Sequence, residues 1–457
     1  MTFTAWKFIT AVTLLTAMAT PIRLTAQGQQ KQHHKKTYYA VKDLGMLGGT
    51  LFAGAEGISN RGWVTGGANV AGDQSGHAFL WRDGVMTDLG TLGGLNSWIN
   101  FPEKVDREFA AGFAETSQID PLGENFCGWG TGLICAPFLW ENGAITQLPT
   151  LGGNNGFGAN INHRGQVVGY AETGDLDATC VLPQQFNIKG VVWGPKPGQM
   201  QVLPPFPGDD SSQGLALNDR GQVVGNSGAC FNFGTGPPFP LFPLRAVMWQ
   251  NGIVTDLGTL GGTFNVPFAI NNTGQVVGQS TTTGDATLHP YLWQNGVMTD
   301  LGLLPNYDLF GTAFGFNDHG QVVGTSVDPN LYLTGFIWQD GVITDLNTLV
   351  KPGSTTLQVI IGNDINDKGE IAGVAFDPNS GCPPPQWSNW PCIRAVLMLP
   401  CDEDHAGDQS CEDAANNAIG VQGTSERPEG LLPQDRHVQL LKRLNLGRFI
   451  SGTARPN

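Results

Sequence analysis

Thr255-Asp256-Leu257-Gly258-Thr259-Leu260-Gly261-Gly262 is followed by Ile270-Asn271-Asn272-Thr273-Gly274-Gln275-Val276-Val277-Gly278 and then by Pro290-Tyr291-Leu292-Trp293. This three-part phrase recurs along the chain. The leucine of its first part stands at Leu44, Leu89, Leu148, Leu203, Leu257, Leu301 and Leu346, with successive spacings of 45, 59, 55, 54, 44 and 45 residues. A period in this range is that of propeller blades.

The second part recurs at Ile58–Gly66, Val105–Gly112 (the most worn copy), Ile161–Gly169, Leu217–Gly225, Phe316–Gly324 and Ile365–Gly373. The third part ends in Trp81, Trp140, Trp193, Trp249, Trp293 and Trp338, and only the last copy, Ala395-Val396-Leu397-Met398, lacks the tryptophan. Each unit holds four short apolar runs, here a, b, c and d, separated by turn residues. Asn218-Asp219-Arg220-Gly221 and its relatives join a to b, while Asn142-Gly143, Asn251-Gly252 and Asn295-Gly296 join c to d. Asparagine and glycine tolerate the positive φ that a two-residue hairpin needs.

Counting strands accounts for both ends. The chain enters at 38–44 with a lone d strand, runs through six abcd sets and finishes with a, b and c before Pro400. The expected fold is therefore all-β, a seven-bladed β-propeller of four-stranded blades over 38–400, its ring closed by the N-terminal strand. Closure would remove the open edges of a linear stack. An open solenoid would need shorter rungs without internal hairpins.

Composition agrees. The 64 glycines and 29 prolines with only 14% charged residues describe a turn-rich chain, and 24 phenylalanines and 12 tryptophans supply core material. At the N-terminus Lys7 precedes an uncharged run from Phe8 to Ala19, too short to cross a bilayer comfortably, so residues 1–26 read as a signal peptide cut after Ala26. A polar, basic leader follows at 27–37. After the repeats come an acidic linker, 401–430, and a tail, 431–457, in which Val438, Leu441 and Leu444 suggest a short helix. The mature chain has no further stretch fit to span a membrane. A secreted, periplasmic or cell-surface monomer is expected, and eight cysteines suit such an oxidising place. The net charge of -15 argues against nucleic acid or anionic lipid as partner.

The triplet His77-Ala78-Phe79, with the Asp-Leu-Gly and Gly-Gln-Val-Val-Gly phrases in fixed order, resembles the HAF family of bacterial extracellular repeat proteins over residues 38–400. The resemblance implies an extracellular bacterial location and no assigned activity. The sequence departs from the motif in that histidine fills its position intact only in the first unit; the fifth reads His289-Pro290-Tyr291. A metal or catalytic role for that histidine is therefore not expected.

Loops of an antiparallel meander alternate between its two ends, so the d-to-a and b-to-c connections share one face. The b-to-c loops are long at 113–135, 170–189, 226–244 and 374–391, and long insertions on a rigid scaffold commonly carry binding. Proximity favours disulfides Cys127–Cys135, Cys180–Cys230, Cys382–Cys392 and Cys401–Cys411, although eight cysteines allow many connectivities. Phe126, Trp129, Phe231, Phe233, Trp387 and Trp390 are candidate binding residues for a glycan or an extracellular protein, or else mini-cores of oversized loops. Asp175, Asp177, Asp209 and Asp210 are candidate calcium ligands without the spacing of a known calcium loop; no other cofactor or metal is expected. The d-strand aspartates Asp43, Asp88, Asp256, Asp300 and Asp345 recur in most units and read as hydrogen-bond acceptors at the d-to-a turn. No local catalytic motif stands out, so a non-enzymatic binding or structural role is expected. The alternative is a carbohydrate-active glycosidase or lyase assembling acids from different blades on the same loop face.

Overall fold

The computed structural model describes residues 37–104, 107–180, 182, 184–230, 243–386, 392–401 and 411. The expected signal peptide, the leader through residue 36, most of the linker, the C-terminal helix, and Phe231, Phe233, Trp387 and Trp390 lie outside these residues. The described chain is all-β, with two single-turn 3-10 helices at Thr283–Asp285 and Leu346–Thr348.

The strands form five four-stranded antiparallel sheets, spanning 93–147, 152–203, 211–256, 261–300 and 310–345, and one sheet of eight strands. The larger sheet consists of two antiparallel quartets joined by a single parallel bridge, Phe52 to Ile393. One quartet is Gly48–Ile58, Val64–Val70, Gly76–Arg82 and Val85–Asp88. The other combines Gln358–Ile365, Ile371–Phe376 and Ile393–Pro400 with the first strand of the chain, Tyr39–Asp43, which lies antiparallel to the last with Tyr39 opposite Pro400. The lone d strand thus completes the lone abc set. Backbone bonds anchor it: Tyr39 N–H donates to Leu349 O at 2.8 Å, Lys351 N–H to Tyr39 O at 2.9 Å and Cys401 N–H to Tyr38 O at 2.7 Å.

The repeated phrases now have physical reasons. Six a strands carry a β-bulge at one equivalent position, leaving Glu56, Ala159, Leu215, Phe268, Phe314 and Asn363 as the extra residue. A bulge bends its strand and re-aims the extra side chain. The glycine ending Gly-Gln-Val-Val-Gly sits close to the bulge across the ladder, where a Cβ on Gly169 or Gly225 would come within 1.9 Å of the carbonyl of Phe157 or Gln213. Only glycine fits there. At the c-to-d hairpins Asn251 and Asn295 both take φ of 51° and are followed by glycines at 78° and 83°, the two positive values of a type I′ turn.

The asparagine of Ile-Asn serves two partners. Asn218 Oδ1 accepts from Arg220 N and Gln222 N, both at 3.0 Å, closing its own turn, while its Nδ2 donates to Asn271 O of the next sheet at 2.8 Å. Asn366 likewise donates to Ser59 O at 2.9 Å, linking the last quartet to the first. The d-strand aspartates accept at the d-to-a turn as expected, from Gly45 N, Gly90 N, Gly258 N, Gly302 N and Asn347 N at 2.7 to 2.9 Å. The same carboxylates meet the residue preceding the Ala-Phe position: His77 with Asp88 at 2.9 Å, His289 with Asp300 at 2.8 Å and Arg245 with Asp256 at 3.1 Å. The motif histidine is a hydrogen-bond partner of the repeat's own aspartate.

The unit of 93–147 breaks the pattern. After Trp98 its chain leaves the sheet, and residues 99–104 run between the a strands of the other sheets. Phe101 stacks on Phe268 with centroids 6.1 Å apart, and Asn160 Nδ2 donates to Pro102 O at 2.5 Å. Lys104 Nζ bonds the carbonyls of Phe316 and Ile365 and lies 3.2 Å from the fully buried Asp364 carboxylate. One segment so ties four sheets together. On the a-to-b turn side it floors a cavity of about 120 Å³ rimmed by Asn60, His163, Asp219, Asn272, Asp318 and Asp367.

Candidate functional site

The long b-to-c loops of the 93–147 and 152–203 sheets fold onto each other around one buried amide. Asn155 Nδ2 donates to Asp120 Oδ2 at 2.7 Å, to Glu124 Oε2 at 2.9 Å and to Glu172 Oε2 at 3.2 Å, and its Oδ1 accepts from Cys135 N at 2.9 Å. Glu172 Oε2 also accepts from Asn154 N at 3.0 Å and Asn155 N at 2.8 Å, and Oε1 accepts from Gln184 Nε2 at 2.7 Å. Gln185 N–H reaches back across the seam to Glu124 Oε1 at 2.7 Å. All four acid and amide side chains are buried. Burial, then the hydrogen bond and negative charge of Glu124, push the Glu172 carboxyl up to about 9, so it holds a proton at neutral pH.

Disulfides pin the same loops. Cys127 is bonded to Cys135, and Cys180 to Cys230 across two sheets; Cys382–Cys392 and Cys401–Cys411 complete the set, all four being the pairs that proximity favours. Beside the second bridge, Thr179 Oγ1 donates to Asp177 Oδ1 at 2.7 Å and to Asp210 Oδ2 at 3.0 Å, which joins the 152–203 loop to the d-to-a turn of the next unit. Asn187 Nδ2 spans Asp177, Asp210 O and Ser211 Oγ. Of the four calcium candidates, the structure brings Asp177 and Asp210 together, and it places the Lys189 ammonium among them, bonded to Asp210 O and attracted by Asp210, Asp177 and Asp175. Asp209 instead accepts from Ser227 Oγ at 2.8 Å and faces Arg245 at 3.5 Å.

The aromatic candidates within the described residues turn inward. Phe126 is 2% exposed and packs against Tyr170 at 5.9 Å, and Trp129 stacks on Phe113 at 5.2 Å with planes 17° apart. They are mini-cores of their loops, the second of the two readings the sequence allows. Among the described residues of the b-to-c loops, the most exposed apolar side chains are aliphatic, Ile119 at 79%, Leu176 at 72% and Leu182 at 73%, beside Tyr332 at 38%. Sequence reasoning passed over them because single leucines in loops carry no pattern. For Ile119 and Leu176 the sign that could have marked them is their place at the ends of b strands, beyond the last residues paired with the a strands; Leu182 lies in the loop that follows.

A second group lies at the a-strand bulges. Glu56 is the only ionisable residue at the bulge position, and a Cβ at Gly54 would stand 2.9 Å from its Oε1 and 3.6 Å from the Phe52 ring. Absence of that Cβ lets the carboxyl fold back beside Phe52. Burial pushes Glu56 up to about 8, partly offset by the Trp98 indole N–H. Trp98 Nε1 is itself buried without a hydrogen bond of ordinary geometry. The Trp98 ring is wedged where a Cβ on Gly67 would come within 2.2 Å of it, and it lies 5.5 Å from the Phe52 ring. Glu103, buried nearby, is pushed well above the carboxylate range by burial despite accepting from Ala111 N at 2.9 Å.

Among the described residues no helix is long and apolar enough to cross a membrane. No protein-family model matches the chain, and no characterised protein matches it by sequence. Solved structures similar to it include the β-propeller domain of the Trilobed protease from Pyrococcus furiosus, at 12% identity and a TM-score of 0.40, covering 65% of this chain and 81% of that one. The acylaminoacyl peptidase of Pyrococcus horikoshii matches at 11% identity and a TM-score of 0.42 over 73% of this chain, which spans 50% of that protein. The sialidase of Trypanosoma rangeli matches at 10% identity and a TM-score of 0.34, over 70% and 55% of the two chains.

Proposed function

We propose that the chain is an extracellular seven-bladed propeller, closed by strand Tyr39–Asp43, that works as a non-catalytic binding scaffold through the b-to-c loops of the 93–147, 152–203 and 211–256 units. The reading of seven blades divides the eight-stranded sheet at its single bridge into two. The observation that carries the function is the cross-linking of these loops to one another, through Asn155, Thr179 and the Cys180–Cys230 bond. A surface locked across three units loses little conformational entropy on binding. The exposed aliphatic residues Ile119, Leu176 and Leu182 suit a protein surface better than a sugar, whose rings prefer aromatic faces. A protein partner is favoured for that reason, and a glycan is the second ligand class. The acids of this face support binding over hydrolysis, because Asp120, Glu124 and Glu172 are buried and bonded to loop amides instead of reaching solvent.

Purified chain would be tested on a glycan array and on immobilised extracellular proteins, beside a triple variant with Ile119→Asp, Leu176→Asp and Leu182→Asp. Retention that the variant loses, with no product released, is expected. Release of product from any glycan, or equal retention of both proteins, would overturn the reading.

A further inference from the structure

We propose that the cavity on the a-to-b turn side binds a small alkylguanidinium ligand. Its volume of about 120 Å³ is close to the ~150 Å³ of cavities that take up one benzene-sized molecule. Ile161, Leu217 and Ile270 line it and suit an alkyl chain, while much of the remaining lining is polar. Around the rim, neighbouring turns clasp one another. His163 N–H donates to Asp219 Oδ1 at 3.0 Å and Asp219 N–H to Asn272 Oδ1 at 2.9 Å. Asp318 N–H donates to Asp367 Oδ1 and Asp367 N–H to Asn60 Oδ1, both at 2.9 Å. Between Asn272 and Asp318 the clasp is missing, and among the described residues the Asp318 carboxylate has neither a hydrogen bond nor an ion-pair partner.

The observation that points to a ligand is Asn160. It lines the cavity and is only 5% exposed; its Nδ2 is spent on Pro102 O at 2.5 Å, and its Oδ1 accepts no hydrogen bond among the described residues. Buried polar groups are ordinarily paired, so an open acceptor here calls for a donor. Charge selects a cationic one. Burial opposes ionisation of Asp219 and Asp367, but Asn272 and His163 at the one, and Asp318 N, Asn60 and the charges of Lys104 and His319 at the other, hold both below the usual carboxylate range. Of the cations nearby, Lys104 is engaged by Asp364 and two carbonyls, His163 by Asp219, and Arg61 by the Trp63 ring at 5.5 Å. Arg164, Arg220, His319 and Lys368 belong to the same turns but do not line the cavity. No three acid or histidine side chains of the rim bring ligand atoms within 4.8 Å of one another, too open a set for a bare metal ion. A planar guanidinium with several N–H donors spans such acceptors. The site lies at the other end of the strands from the b-to-c loops and does not depend on the role proposed for them.

Titration calorimetry of the full chain with N-propylguanidinium at pH 7 and low salt tests the site, and saturable binding is expected. N-propylurea keeps the shape without the charge, and tetramethylammonium keeps the charge without an N–H. Each should bind roughly tenfold or more weakly, because the acceptors lose a charged donor. Asp318→Asn should weaken binding by a similar factor. Asp83→Asn removes an exposed acid at a c-to-d turn, where Asn142, Asn251 and Asn295 stand in other units, and should leave binding unchanged. Asn160→Leu should abolish binding, with urea unfolding to show that it folds; Asp318→Asn, at an exposed position, carries the test if it does not. No saturable binding by the wild-type chain, equal affinity for either control compound, unchanged binding by Asp318→Asn, or an equal loss in Asp83→Asn would each overturn the proposal.

Discussion

Replacing Glu172 by glutamine should change the pH dependence of stability more than stability itself. In the folded chain Glu172 holds its proton up to about 9, against 4.5 when unfolded, because it is buried and faces Glu124. Between those values the native state binds one proton more than the unfolded state, so stability is greatest below about 4.5 and falls as pH rises toward 9. The slope is about -1.4 kcal/mol per pH unit, and keeping the group neutral amounts to roughly 3 kcal/mol of lost stability at pH 7. Glu56, Glu103 and Asp364, all pushed up mainly by burial, act in the same direction. Glutamine cannot ionise, and its oxygen can still accept from Asn154 N and Asn155 N. Its amide, however, would oppose Gln184 Nε2, which now donates to Glu172 Oε1, at a loss of about 1–2 kcal/mol. Urea unfolding at half-unit steps from pH 5 to 8 should therefore give two lines that cross, the variant less stable at pH 5 and more stable at pH 8. Parallel lines would refute the assignment of the proton to this cluster.

Removal of residues 38–44 should abolish cooperative unfolding and expose apolar surface to a hydrophobic dye, since Tyr39, Ala40 and Val41 are buried against the last strand. Lys104→Met should lower stability by about 3–5 kcal/mol in denaturant titrations by leaving Asp364 buried without its cation, and adding Asp364→Asn should recover most of the loss. Serine at both Cys180 and Cys230, which lie 50 residues apart, should cost about 4 kcal/mol if the bridge acts by limiting the unfolded chain. On the acid side, burial pushes Asp88 and Asp300 upward, but bonds from His77 with Gly90 N and from His289 with Gly302 N outweigh it and hold both below the usual carboxylate range. Their contribution is present above the unfolded value and disappears as pH falls through the folded one; a paired His77→Ala and His289→Ala variant should show a weaker loss of melting temperature below pH 4.

The strands, turns and end pairing were legible because they are local and repeated. Hairpin asparagines, the glycine opposite each bulge and the turn aspartate obey rules set within a few residues, and seven approximate copies average out the noise of any one. The cysteine pairs were legible for a similar reason, three of them closing loops of ten residues or fewer. The site was not. Whether Phe126 and Trp129 face solvent depends on Tyr170 and Phe113, which reach them from other strands. The Asn155 cluster joins residues of two units that no spacing relates. The worn second copy was noticed, yet its meaning, a segment passing between the other sheets with Lys104 at its end, depends on Phe316, Ile365 and Asp364 far along the chain.

The pairing of Tyr39 with Pro400 also sets an order in time. Tyr39–Asp43 finds its partner only when Ile393–Pro400 has been made, so until then Tyr39–Asp43 and the edge of Ile371–Phe376 are each without a neighbour. Bringing ends so distant together adds only about 0.6 kcal/mol for each doubling of the intervening length, which the finished quartet readily offsets. The burden is kinetic: a chain halted before its final strand presents two sticky edges at once, and quality control that recognises exposed strands would see every truncated copy.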